Sequence, residues 1–141
     1  EAVWGRGVTV NGVPIESIVP HGDSTEITTL FADRSLRNYP QFSAYELNFE
    51  LRFVGGAVIN ALQLLTTPNS VYLKAPKKPI GGCAIWDLAA VALMLEELGG
   101  KATFYDGNPL HLNRADSVYF NDVGLVFTSV DIDRDALLAS L

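Results

Sequence analysis

Asp87 is the residue of this chain best placed to do chemistry. It stands beside Trp86 at the head of an apolar run, Leu88 to Leu95, which ends in Glu96-Glu97-Leu98-Gly99-Gly100. A carboxylate at the mouth of a helix has two uses. It can cap the helix by accepting the orphan N–H groups of the first turn. It can also ligate a hard cation such as Mg²⁺ while the neighbouring N–H groups face an anion. Such a cation draws on several oxygens, so Asp87 needs partners in that second role. Gly55, Gly56 and Ala57 form another candidate, because two glycines let backbone approach a ligand closely. They serve equally as a plain strand-to-helix turn.

The other reactive side chains form no constellation. His21, Asp23 and Ser24 are triad residue types, but adjacency in one loop is not triad geometry. Gly5-x-Gly7 lacks the third glycine and the following helix of a dinucleotide fingerprint. His111 leaves a loop after Pro109-Leu110 and is assigned no chemistry. Cys83 is the single cysteine, so the chain has no internal disulfide and no cysteine-rich zinc site. It reads as a small buried or half-buried thiol and fits a reducing cytoplasm, which is the expected compartment.

The elements that must position Asp87 and the glycines follow from pattern. Residues 2–10 and Val13-Pro14-Ile15 are predicted to form two strands around an Asn11-Gly12 turn, the strongest short hairpin signal. Residues 20–24 break the pattern as a linker, and Glu26–Ala32 is β-rich. A short helix over 40–48 with Pro40 in its first turn precedes a strand at Glu50–Val54. The Gly55-Gly56 hinge leads into a helix over 57–65, and a strand at Ser70–Leu73 leads into a basic, proline-rich loop, Lys74 to Pro79. The main helix spans about 86–98, with Gly99 in the left-handed position that closes it. Glu96 and Glu97, in its last turn, are expected to be solvated. Because Leu88 to Leu95 offers no polar face, this helix must be covered on most sides, as in the middle layer of a sandwich. A strand at Lys101–Tyr105, a turn at 106–109, a strand at Gly124–Thr128 and a helix over 133–140, capped by Asp131 or Asp133, complete the series. Strands alternating with helices define an α/β layered domain over 23–141, preceded by a hairpin and linker over 1–22 that belong to a preceding domain.

Composition narrows the function. The 141 residues can close one core, and 48% apolar against 18% charged residues excludes a disordered segment. A net charge of −6 argues against nucleic acid as partner. The longest apolar run is far shorter than the roughly 20 residues a membrane helix needs. Met94 is the only methionine, so residue 1 is not an initiator. The favoured reading is one piece of a longer protein.

The ordered string Trp86-Asp87-Leu88-Ala89-Ala90, Glu97-Leu98-Gly99-Gly100 and Asp106-Gly107 resembles the second signature of the Mg²⁺-dependent, lithium-sensitive phosphatases. That family includes inositol monophosphatase, the 3′(2′),5′-bisphosphate nucleotidases and, more distantly, fructose-1,6-bisphosphatase. Ala2 to Gly12 looks like the family's Ala-x-x-Gly-x-Gly hairpin, and Ala32-Asp33-Arg34-Ser35 resembles the segment opening its second domain. Arg52 to Ala57 resembles one wall of its substrate site. The resemblance covers essentially the whole chain but only the C-terminal half of the family's fold.

The resemblance implies that Asp87 is a catalytic Mg²⁺ ligand that also approaches substrate, and that Gly55, Gly56 and Ala57 bind the non-phosphate part. The implied activity is hydrolysis of a small phosphate monoester (an inositol phosphate, nucleoside bisphosphate or sugar phosphate) by metal-activated water. Inositol phosphatases place an acidic residue a few positions before Trp-Asp; here Pro79-Ile80-Gly81 stands there. The basic run Lys74 to Lys78 suits a second phosphate, or is a solvated loop. The family's first half supplies a glutamate and an Asp-Pro-Ile/Leu-Asp-Gly-Thr motif, and neither is found in this sequence. The chain alone is therefore expected to be inactive, with the N-terminal half as its partner and a homodimer as a further assembly. The alternative is a non-catalytic α/β domain that keeps the fold and binds a ligand or partner.

Overall fold

The computed structural model describes residues 1–15, 26–78, 81–129 and Leu137. The expected linker at 20–24, Pro79-Ile80 and the capping residues Asp131 and Asp133 lie outside them. So does the terminal helix, apart from Leu137, which is helical and buried.

The hairpin forms as its turn predicts. β1 (Val8–Val10) and β2 (Val13–Ile15) pair antiparallel, with Val10 opposite Val13 and Asn11 and Gly12 both at positive φ. They make a separate two-stranded sheet.

The second sheet has five strands: β3 (Thr29–Ala32), β4 (Glu50–Arg52), β5 (Ser70–Lys74), β6 (Lys101–Phe104) and β7 (Leu125–Thr128), in the order β4-β3-β5-β7-β6. β4 and β5 both pair parallel to β3, and β7 lies antiparallel between β5 and β6. Every residue of β3, β5 and β7 is buried. Parallel strands covered on both faces read as continuous apolar runs, and Leu30-Phe31-Ala32 within β3 is one.

The cover is a helical layer on each side. Phe31, Tyr72, Phe104 and Phe127 point to one face, where they meet α2 (Ala57–Gln63) and α3 (Ile85–Glu97) through Ala61, Leu88, Val91, Ala92 and Leu95. Leu30, Ala32, Val71, Leu73 and Val126 point to the other face. There they meet Leu36 of a 3₁₀ turn (Arg34–Asn38), Tyr45 of α1 (Phe42–Asn48), Phe49 and Leu137. The 3₁₀ turn was not anticipated, and Pro40 precedes the α1 N-cap, Gln41, instead of sitting in the first turn.

The topology also explains why α1 and α2 lie on opposite faces. The chain leaves β3 in one direction to reach β4, then crosses back over β3 to reach β5. Crossovers of one hand must change face when they reverse direction. The carboxyl ends of β3 and β5 are therefore where the strand order reverses, which is where open α/β sheets bind ligands.

α3 closes at Gly99 as expected but departs from expectation at its start and along its outer side. One face is buried, through Leu88, Val91, Ala92 and Leu95, while Ala89, Leu93 and Met94 are half-buried and Ala90 is exposed. Among the described residues only this one side of the helix is fully buried. Its end is a Schellman closure: Gly100 N–H donates to Leu95 O at 2.9 Å and Gly99 N–H to Glu96 O at 3.2 Å, with Gly99 at φ 86°. Gly100 is required by space, because a Cβ there would lie 2.5 Å from Thr128 O.

Glu97 is not the solvated side chain expected. Its carboxylate accepts from the N–H groups of Gly5 at 2.6 Å and Gly7 at 2.7 Å, which tethers the hairpin's entry loop to the end of α3. Both glycines have positive φ, the backbone turn that lets neighbouring N–H groups converge on an anion. Those bonds, Gly5 first, hold the Glu97 carboxyl below its ordinary range. Among the described residues no helix is long and apolar enough to cross a membrane.

Candidate active site

Asp87 sits one turn inside its helix. The N-cap is Ala84, with φ −118° and ψ 167°, and Asp87 is the third helical residue. Its Oδ2 reaches back to accept the Ala84 N–H at 2.8 Å. This is the reciprocal half of a capping box; alanine has no oxygen to supply the other half. The N-cap expectation is corrected accordingly. The helix begins at Ile85, because the backbone turns at Cys83-Ala84 rather than at Trp86.

A loop behind the helix fixes that turn. Ile85 N–H donates to Val118 O at 2.9 Å, Phe120 N–H to Cys83 O at 3.0 Å, and Cys83 N–H to Asn121 Oδ1 at 3.1 Å. Arg114 holds the loop closed, pairing with Asp116 at 2.8 Å and Asp122 at 2.9 Å and donating to Tyr119 O at 3.0 Å. Trp86 points outward, 68% exposed, with Tyr119 edge-on to its ring at 6.3 Å. The Cys83 thiol, buried beneath this corner, is pushed up to about 12, chiefly by desolvation. The His111 and Phe104 ring centroids lie 6.1 Å apart.

The ends of β3 and β5 bring together two residues, Asp33 and Lys74, that the sequence did not link to each other. Asp33 follows β3 directly, and Lys74 is the last residue of β5, not the first of a solvated loop. Lys74, only 7% exposed, makes a close ion pair with Asp33 Oδ2. Tyr72 OH donates to Asp33 Oδ1 at 3.3 Å. Burial first, then the negative charge of Asp33, raises the Tyr72 hydroxyl far above its ordinary value, and Asp87 adds in the same direction. Beyond β5, Lys77 N–H donates to Asn121 O at 2.7 Å, and Asn121 Oδ1 accepts the Cys83 N–H at 3.1 Å, so the head of α3 and the end of β5 share a corner of the molecule.

Gly55 and Gly56 occupy the third strand end, between β4 and α2. Gly56 is the N-cap of α2, at φ −75° and ψ −177°, and no side chain caps that helix. A Cβ on Gly56 would meet nothing within 4 Å, whereas one on Gly55 would lie 2.9 Å from Ile59 Cβ. Ala57 opens the helix and is half-buried. Asn60, one turn further, is fully buried, and its amide binds this loop. Asn60 carries no motif; for Asp33 and Lys74 the signal of pairing was position, a polar residue immediately after, or at the end of, a buried strand.

The residues present do not complete a metal site. Among the described residues no three His, Cys, Asp or Glu side chains are grouped to hold an ion. Mg²⁺ typically takes one or two carboxylates plus other oxygens in near-octahedral array, and at this corner Asp87 has one oxygen already engaged by the cap. No reaction step through a metal follows from this chain alone.

A three-layer α/β domain with a carboxylate-bearing helix mouth beside its strand-order reversal has the general form of a small-molecule-binding enzyme fold. Residues 1–132 match the sequence pattern of the inositol monophosphatase family, and the chain belongs to that family. Among solved structures it is similar to an inositol monophosphatase from Anabaena (Nostoc) sp. PCC 7120, with TM-score 0.63 and 22% identity over 99% of this chain and 54% of that one. An inositol monophosphatase from Zymomonas mobilis gives TM-score 0.66 and 17% identity over 99% and 51%. Leishmania major fructose-1,6-bisphosphatase gives TM-score 0.56 and 18% identity over 90% and 41%. The chain spans about half the length of the solved structures it matches. No curated protein matches it.

Proposed function

We propose that this chain carries the C-terminal part of a Mg²⁺-dependent phosphomonoesterase that hydrolyses a small phosphate monoester by metal-activated water. Asp87 is the carboxylate it contributes to the metal site, and Gly55, Gly56 and Ala57 are the wall against the non-phosphate part of the substrate. The observation that carries this reading is the placement of Asp87. Its carboxylate lies in the first turn of α3, whose head Asn121 ties to the chain just after β5, in a chain matching the family over residues 1–132.

The remaining carboxylates and the phosphate cradle come, on this proposal, from an N-terminal half outside this chain. In two-metal phosphatases one ion generates the nucleophile and the other stabilises the leaving oxygen. One carboxylate cannot hold both, so the chain alone is inactive. The domain reading, residues 1–22 belonging with that other half and 23–141 forming the C-terminal domain, is part of the same proposal, as is a cytoplasmic site of action.

The test is a phosphatase screen of the whole protein with inositol phosphates, adenosine bisphosphates and sugar phosphates, with Mg²⁺ and with chelator. Mg²⁺-dependent phosphate release from one class, absent from the 141-residue chain alone, is the expected result. A whole protein with no Mg²⁺-dependent release from any class would leave the non-catalytic binding domain as the correct reading.

A further inference from the structure

Asn60 is buried as completely as any apolar core residue, yet its side chain serves a surface loop. Its Oδ1 accepts the Val54 N–H at 3.1 Å and the Gly55 N–H at 3.4 Å. Its Nδ2 donates to Gly55 O at 2.9 Å and to Ala32 O at 3.0 Å, with a longer contact to Asp33 Oδ1 at 3.4 Å. Two backbone donors and two backbone acceptors at the ends of β3 and β4 are thereby satisfied by one amide. A carboxamide is the neutral side chain that both donates and accepts in this way.

The need for such a side chain is physical. The Val54–Gly56 segment leaves the sheet before α2 begins, so it has no ladder partner. Its glycines alone would leave it free to sample many conformations. Buried main-chain groups without partners are costly, and a side chain that supplies them restricts the loop to one shape.

We propose that Asn60 is the positioning residue for the Gly55–Ala57 wall: it locks the wall to the carboxyl end of β3 and sets the distance between that wall and the Asp33–Lys74 corner. This rests on the reading of Gly55, Gly56 and Ala57 as a substrate wall. Asn60 touches no substrate; it acts through the backbone it holds.

Two substitutions in the whole protein test it. Asn60→Leu keeps roughly the volume but loses the acceptor for the Val54 and Gly55 amides and both donors. Asn60→Ser keeps a short hydroxyl. Two readouts are taken: hydrogen exchange of the Val54 and Gly55 amides, with the Val71–Leu73 amides of β5 as control, and kcat and KM for inositol monophosphate with the Mg²⁺ half-saturation. The expected result is exchange at Val54 and Gly55 accelerated at least about tenfold with β5 unchanged, the equivalent of one net hydrogen bond. KM should rise by a similar factor, with kcat and the Mg²⁺ requirement little changed.

Unaltered exchange at Val54 and Gly55 in either folded variant would overturn the proposal. So would faster exchange with unchanged KM, or a failure of both variants to fold, which would make Asn60 a support of the whole sheet and not of the wall. If the wild-type protein does not turn over inositol monophosphate, that failure belongs to the substrate reading. The exchange comparison then still decides the role of Asn60.

Discussion

Two adjacent glycines, Gly55 and Gly56, should respond to substitution with opposite signs. Gly55→Ala places a Cβ 2.9 Å from Ile59 Cβ and 3.2 and 3.3 Å from its two γ carbons. The Gly55 φ is not in the left-handed region, so the obstacle is space, not backbone strain. Overpacking costs about 1–3 kcal/mol. Ile59 is 45% exposed and can yield outward, but its Cβ is fixed to α2, so about 1–2 kcal/mol of destabilisation is expected. At Gly56 the space is open, φ is −75°, and the residue is an N-cap with no side-chain oxygen. Gly56→Ser removes unfolded-chain freedom, worth about 0.4–1 kcal/mol, and adds a capping hydroxyl worth a few tenths over glycine. The sum is about 1 kcal/mol of stabilisation, or a Tm rise of about 4 °C for a domain of this size. Urea and thermal unfolding followed by circular dichroism read both. A neutral Gly55→Ala, or a Gly56→Ser that melts lower than the parent, would refute the loop geometry from which the wall is argued.

Other consequences can be checked on the same protein. The Glu97 carboxyl is held low by the Gly5 and Gly7 N–H groups, so the tether is present above the ordinary glutamate range and is lost as pH falls through the depressed value. Hydrogen exchange should show Gly5 and Gly7 amides protected at neutral pH and released on acidification, and released at every pH in Glu97→Ala; unchanged protection in that variant would remove the tether. The Cys83 thiol, pushed up to about 12 by burial, should resist alkylation at pH 8 in the folded chain and react fully in urea. Rapid labelling of the folded protein would contradict its burial.

Regular elements were legible where pattern and local chemistry agreed. Asn11-Gly12 specified the hairpin, and the all-apolar Leu30-Phe31-Ala32 run reflected a strand covered on both faces. Gly99-Gly100 marked a helix end that the Schellman bonds bear out. Contacts between residues distant in sequence were not legible. Glu97 looked like a solvated charge because its partners, the Gly5 and Gly7 amides, lie some ninety residues away. Lys74 looked like the start of a basic loop because nothing nearby marks Asp33 as its partner across two parallel strands. Asp87 was found by type and neighbourhood but misplaced by one turn, since the cap geometry depends on a backbone held by Val118 and Asn121. The motif string around Trp86-Asp87 pointed to the family whose sequence pattern the chain matches, and the strand-order reversal at the ends of β3 and β5 emerged only from the sheet topology.

The central claim is that Asp87 serves both the helix and a metal-dependent reaction. Asn retains an oxygen that can accept the Ala84 N–H, whereas Ala cannot, so Asp87→Ala should lose about 1 kcal/mol of stability that Asp87→Asn largely keeps. The direct measurement is Mg²⁺-dependent phosphate release by the whole protein carrying Asp87→Asn, with its unfolding curve recorded alongside. The account predicts a protein that melts close to the parent and releases phosphate at least about a hundredfold more slowly, as loss of a charged group that stabilises the transition state requires. An Asp87→Asn protein that retains full Mg²⁺-dependent activity would contradict it and leave Asp87 as a structural residue of its helix alone.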